Sequence, residues 1–149
     1  KILKMKAIHF PQKNIFRNIS LAIFTAATVV SCSTMATTKM KVGTPQPNIA
    51  NTKWTLADNV KGKKPTLVIE SAKITGNGGC NNYFGEVMLD STAGNFSAKN
   101  VGATKMACDN MSEETNYFSM LGAATKYVVN GTTLELYKDN LLLLKFTKL

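Results

Sequence analysis

The chain has 149 residues, 44% of them hydrophobic, with 18 Lys and Arg against 9 Asp and Glu for a net charge of +9. That length holds one domain of ordinary size and leaves no room for two large cores. Lys1, Lys4, Lys6, Lys13 and Arg17 all precede position 32 and no acid does, so the remainder carries thirteen basic against nine acidic residues. No basic stripe with interleaved aromatics survives in it, which excludes nucleic acid as the expected partner.

In chain order, the first feature is ISLAIFTAATVV, Ile19 to Val30, an apolar run behind those positive charges. It is short for a bilayer span and has no polar periodic flank, so it reads as an export signal rather than a core helix or strand. It ends in Val29-Val30-Ser31-Cys32, which resembles a bacterial lipobox. The resemblance implies that residues 1–31 are a signal peptide removed before Cys32, and that Cys32 is the lipidation site and new N-terminus. Two or three acyl chains anchor stably where one is marginal, since each buried methylene contributes about 0.8 kcal/mol. An ordinary secretory signal with an incidental cysteine is the competing reading. Ser33, where an aspartate would favour retention at the inner membrane, points to the outer membrane and its periplasmic face.

Residues 32–51 follow as a tether, rich in Ser, Thr, Pro and Asn and poor in large apolar residues. The globular domain is expected over 52–149. Strands are predicted at Lys53 to Leu56, with Trp54 as a core anchor, at Thr66 to Glu70, at Phe84 to Asp90 and at Phe96 to Val101. Between the first two, Lys61-Gly62-Lys63-Lys64-Pro65 reads as a solvated loop, the sharper alternative being contact with anionic lipid head groups. The segment Met111 to Ala124 predicts a helix that places Phe118, Leu121 and Ala124 on one side, with Tyr117 and Met120 beside them. Asn110 or Ser112 would cap it, with Glu113 three residues after Asn110. The C-terminal pattern is a meander: Tyr127 to Val129, Asn130-Gly131, TTLELY, Asp139-Asn140, LLLLKF. Leu134 and Leu136 share one face of it, and Thr133, Glu135 and Tyr137 the other. Only a sheet curled around the helix would bury both, so the fold class expected is α+β: a strongly twisted antiparallel sheet, a half-open β-barrel, with one helix packed on its concave face.

The stretch GNGGCNNYFG, Gly76 to Gly85, carries the chemistry worth testing. A Walker loop needs Lys-Ser or Lys-Thr after its last glycine, and a dinucleotide fingerprint needs glycine or alanine where Asn81 stands, so neither fits. The glycines are read as serving backbone geometry at several positive φ values, and Asn77, Asn81 and Asn82 as local turn formers. The only histidine, His9, lies in the expected signal, so the exported part can assemble neither a Ser-His-Asp set nor an ordinary zinc site. Glu113, Glu114 and Asp109 are read as helix-start acids rather than a general acid/base pair. With Cys32 taken by lipid, Cys80 and Cys108 remain as an even pair in an oxidising compartment, which favours a disulfide over a reactive free thiol. No catalytic residue, metal site or cofactor is expected.

WTL at Trp54, GGCNNYFG from Gly78, TKMAC from Thr104, the helix with Glu114 and Phe118-x-x-Leu121, then YVVNGTTLELY and LLLLKF resemble the META domain, or HslJ-like, family. The resemblance covers about Asn51 to Leu149. It implies a half-open antiparallel barrel with a helix in it, in an envelope lipoprotein linked to heat shock and other stress, with no enzymatic activity to carry over. The expected partners are the membrane, through Cys32, and an unidentified envelope protein. The alternatives are a module that takes an acyl chain or apolar peptide in the mouth of the barrel, and a pilotin-like secretion accessory.

Overall fold

The computed structural model describes residues 41–109 and 111–149. Eight strands and one helix are found among them: β1 (Thr52–Leu56), β2 (Thr66–Ile69), β3 (Lys73–Asn77), β4 (Asn82–Asp90), β5 (Asn95–Ala103), α1 (Met111–Ala123), β6 (Lys126–Asn130), β7 (Thr133–Lys138) and β8 (Leu141–Lys148). Each strand pairs antiparallel with the next, and β8 returns to β1 through Leu56↔Phe146 and its neighbours, which closes the ring. The fold is thus the expected curled antiparallel sheet with a single helix.

Alternation along the strands decides what fills the ring. Leu134 and Leu136 on β7, Leu144 and Phe146 on β8, Trp54 and Leu56 on β1 and Leu67 and Ile69 on β2 all turn inward and are buried. Helix α1 plugs one end, packing against β5 and β8. Its inward stripe is Glu114, Tyr117, Leu121 and, just past its end, Ala124, at helical spacing. Tyr117 reaches the rings of Tyr83 and Phe146, and Phe118 meets Tyr83 edge on at 5.4 Å between centroids.

The turns follow local chemistry, with one shift. Asn130 is the last residue of β6, paired with Thr133, so the two-residue loop is Gly131-Thr132 with Gly131 at φ 59°. The second turn is Asp139-Asn140, with Asp139 at φ 53°. β3 is an element the sequence reading did not anticipate. It holds one large apolar residue, Ile74, beside Gly76, and is a strand because β2 and β4 supply partners on both sides.

The strand ladder is shortest between β5 and β6, where it consists of the single pair Asn95↔Lys126. Residues that precede β1 complete this seam. The buried Gln46 donates its N–H to Ser91 O at 2.7 Å on the β4–β5 turn, and its Oε1 accepts the Val129 N–H of β6 at 3.0 Å. Tyr127 donates its hydroxyl to Pro47 O, and Ile49 enters the core, 2% exposed. The expected tether over 32–51 therefore stops short of Asn51. From Gln46 onward the chain is part of the globule, because one amide and one isoleucine supply what the seam lacks. Asn110, one of the two expected helix caps, and Cys32 lie outside the described residues, as does the whole segment 1–31.

Candidate functional site

The stretch 78–81 lies at the end of the barrel plugged by α1. Cys80 is joined by a disulfide to Cys108, with a Cα–Cα distance of 6.2 Å. The bridge ties the β3–β4 turn to the strap that runs from β5 toward α1. Beside it sits Glu114, 3% exposed. Its Oε1 accepts the backbone N–H groups of Cys80 at 3.2 Å and Asn81 at 2.6 Å, and its Oε2 accepts the Asn81 side-chain amide at 2.7 Å. Glu114 is therefore no solvated helix-start acid. It is a buried carboxylate held by three neutral donors, an arrangement that satisfies a charge without a cation beside it.

Asn81 is the hub of the corner. The same amide nitrogen that meets Glu114 also donates to Met106 O at 3.2 Å, while Oδ1 accepts the Thr104 hydroxyl and the Met106 N–H, both at 2.7 Å. The expected local turn role belongs to Asn77 instead, which accepts the Gly79 N–H and donates to Cys80 O. Of the glycines in this stretch only Gly79 has positive φ, 115°. Gly78 is needed for close approach: a Cβ there would stand 2.6 Å from the Phe118 ring and 2.8 Å from Glu114 Oε1. So the expected set of positive-φ glycines reduces to one, and its neighbour lets the helix come close enough to bond.

Glu113, the next acid on the helix, turns outward. Its Oε2 accepts the Lys61 N–H at 3.1 Å, which fastens the β1–β2 loop to α1. Deeper in, Tyr83 donates its hydroxyl to Thr66 O at 2.9 Å and so accepts from Tyr117 at 2.8 Å. Burial raises both phenol pKa values above the ordinary range, opposed at Tyr83 by this hydrogen bond and reinforced at Tyr117 by its neighbour. Among the described residues no buried side-chain nitrogen or oxygen lacks a partner. The corner's polar groups are spent on each other, so they tie the β3–β4 turn, the strap and α1 together.

Two apolar depressions flank α1. One, of about 600 Å³, runs beside the strap and is lined by Ala103, Met106, Ala107, Met111 and Phe118, among others; Met106 is 53% exposed and Met111 41%. The other, of about 210 Å³, lies under the β1–β2 loop on the opposite flank, between that loop, Met120 and Leu144. The sequence reading placed no site residue in either.

A model of the META domain matches residues 47–148. No protein of curated function matches the chain. The NMR structure of a protein from Burkholderia xenovorans is similar in fold, with a TM-score of 0.58 at 24% identity, over 68% of this chain and 83% of that one. A second NMR structure is similar with a TM-score of 0.52 at 23% identity, over 66% of this chain and 90% of the other. The family match begins inside the segment that closes the seam and runs through the cysteine corner to the last strand, so the chain belongs to the META domain family.

Proposed function

We propose that this protein is a lipid-anchored component of the bacterial cell envelope that acts without catalysis, by contact of its barrel with another envelope protein under stress. The lipobox at Cys32, behind a basic and then apolar leader, supports anchoring. The observation that carries the contact reading is the groove of Ala103, Met106, Ala107, Met111 and Phe118 beside α1. Methionines left in solvent on a rigid, cross-linked edge suit a protein partner, because their flexible, polarizable side chains adapt to the surface they meet.

The test places a photoreactive residue at Met111 of the full chain in its own cells, with Glu70 on an exposed turn as control. Saturable crosslinks to one envelope protein from Met111 only, lost when Cys32→Ala releases the protein from the membrane, are the expected result. A released Cys32→Ala form that works as well as the parent would remove the basis for anchored contact. The acyl-chain alternative finds less support: the ring is occupied by Trp54, Phe96, Tyr117, Tyr127 and Phe146, all buried, which leaves little room for a lipid tail inside it.

A further inference from the structure

We propose that the small cleft under the β1–β2 loop is a socket for a single apolar side chain of a partner polypeptide. The proposal rests on the contact reading above and names a second feature by which a partner would be recognised. The wall of the cleft is Leu56, Val60, Pro65, Tyr117, Met120 and Leu144, around about 210 Å³. A cavity of about 150 Å³ lined by such residues holds a benzene ring. The space therefore suits a leucine, methionine or phenylalanine side chain and is too small for a whole acyl chain.

The inside and the rim argue for the same occupant. Tyr117 forms part of the wall, and its hydroxyl proton is committed to Tyr83, so the ring presents its apolar body to the cleft beside the Gly78–Gly79 backbone. At the rim stand Asp58 and Glu113, Lys63 and the neutral amide of Asn116. Charges of both signs beside an amide complement the alternating N–H and C=O dipoles of a peptide on either side of a buried residue, and two carboxylates against one ammonium disfavour the anionic head of an acyl chain. The roof is the β1–β2 loop, which brings Val60 over the space and is clipped to α1 through the Lys61 N–H and Glu113. Gly62, at φ 83°, lets that loop turn back on itself.

The test follows methyl signals of the full chain by NMR during titration with N-acetylleucine amide, and separately with octanoate as the acyl probe. N-acetylleucine amide is expected to shift the Met120 and Leu144 methyls and leave Met88, on the outer face of β4, unmoved. Binding is expected to be weak, with a Kd on the order of 10 mM, the scale one buried side chain supplies. Asn116→Trp, which fills the cleft from an exposed helix position, should weaken this by about tenfold or more with the other methyls in place. Val60→Ala, which widens the same wall, should move the preference toward N-acetylphenylalanine amide. Shifts with octanoate alone, no shift with either probe, shifts that survive Asn116→Trp, or an unchanged preference in Val60→Ala would each overturn the socket. Failure of the contact reading is seen separately, as absent crosslinks from Met111 in cells while the isolated protein still titrates.

Discussion

The two ends of the barrel are finished by opposite means. At the plugged end a disulfide, a buried carboxylate and a side-chain amide converge on the turn at Cys80-Asn81, so each member is backed by the others. At the β5–β6 seam a single pair of strand residues is supplemented by Gln46, whose backbone N–H bonds to Ser91 O on one side while its side-chain Oε1 accepts the Val129 N–H on the other. The difference teaches that a ring closed by hydrogen bonds needs reinforcement where a helix or a short ladder interrupts it. Dense cross-linking provides this at one end and a short extension of the chain at the other.

The comparison breaks most sharply at Glu114. Glu114→Ala leaves two backbone N–H groups and one amide N–H without their acceptor, and should cost about 4 kcal/mol in denaturant unfolding. Glu114→Gln should cost about half as much. Its amide would face the Asn81 amide donor to donor, and Asn81 cannot rotate without losing Thr104 and Met106. Next comes the bridge: Cys80→Ala with Cys108→Ser should lower stability by about 3 kcal/mol in the chain-entropy account, yet leave a folded barrel because Asn81 still holds the strap. If the double variant fails to fold, the corner is not redundant and the contrast between the ends disappears. At the seam, Gln46→Ala should cost about 1.5 kcal/mol and speed hydrogen exchange at the Val129 N–H far more than at Asn81.

The smallest effect at neutral pH, and the one that touches both ends, is alkaline. All four tyrosines, Tyr83, Tyr117, Tyr127 and Tyr137, have raised pKa values, by burial first; Tyr137 is pushed up to about 12, helped by its hydrogen bond to Glu135 and that carboxylate's charge. Above pH about 10 an unfolded tyrosine loses its proton while the folded one keeps it, so the unfolded state binds fewer protons and stability falls as pH rises. Tyrosinate absorbance should therefore develop together with unfolding, not ahead of it. Absorbance that rises fully while the barrel stays intact would contradict the burial.

The meander and the helix were legible because their signals are local: the Asp-Asn turn, the glycine of Asn130-Gly131 that marks its turn to within one residue, the alternation of Leu134 and Leu136, the spacing of Tyr117 and Leu121. What escaped depends on distant partners. β3, with its Gly76 and single isoleucine, is a strand only because β2 and β4 flank it. Glu114 has the composition of a solvated acid and becomes a buried anchor through donors 33 and 34 residues away in sequence. Gln46 sits among prolines, asparagine and threonine that read as linker, and its partners Ser91 and Val129 share no pattern with it. Asn81 has the composition of a local turn former, and its partners Thr104, Met106 and Glu114 stand 23, 25 and 33 residues away in sequence.

The position of Gln46 bears on how this module can be cut. The recurrent domain begins at Pro47, one residue downstream of the amide that buttons the seam. A fragment trimmed to that limit, or to the first strand at Thr52, would bare the Val129 N–H. It would present a short unguarded strand margin to its neighbours, an invitation to clump.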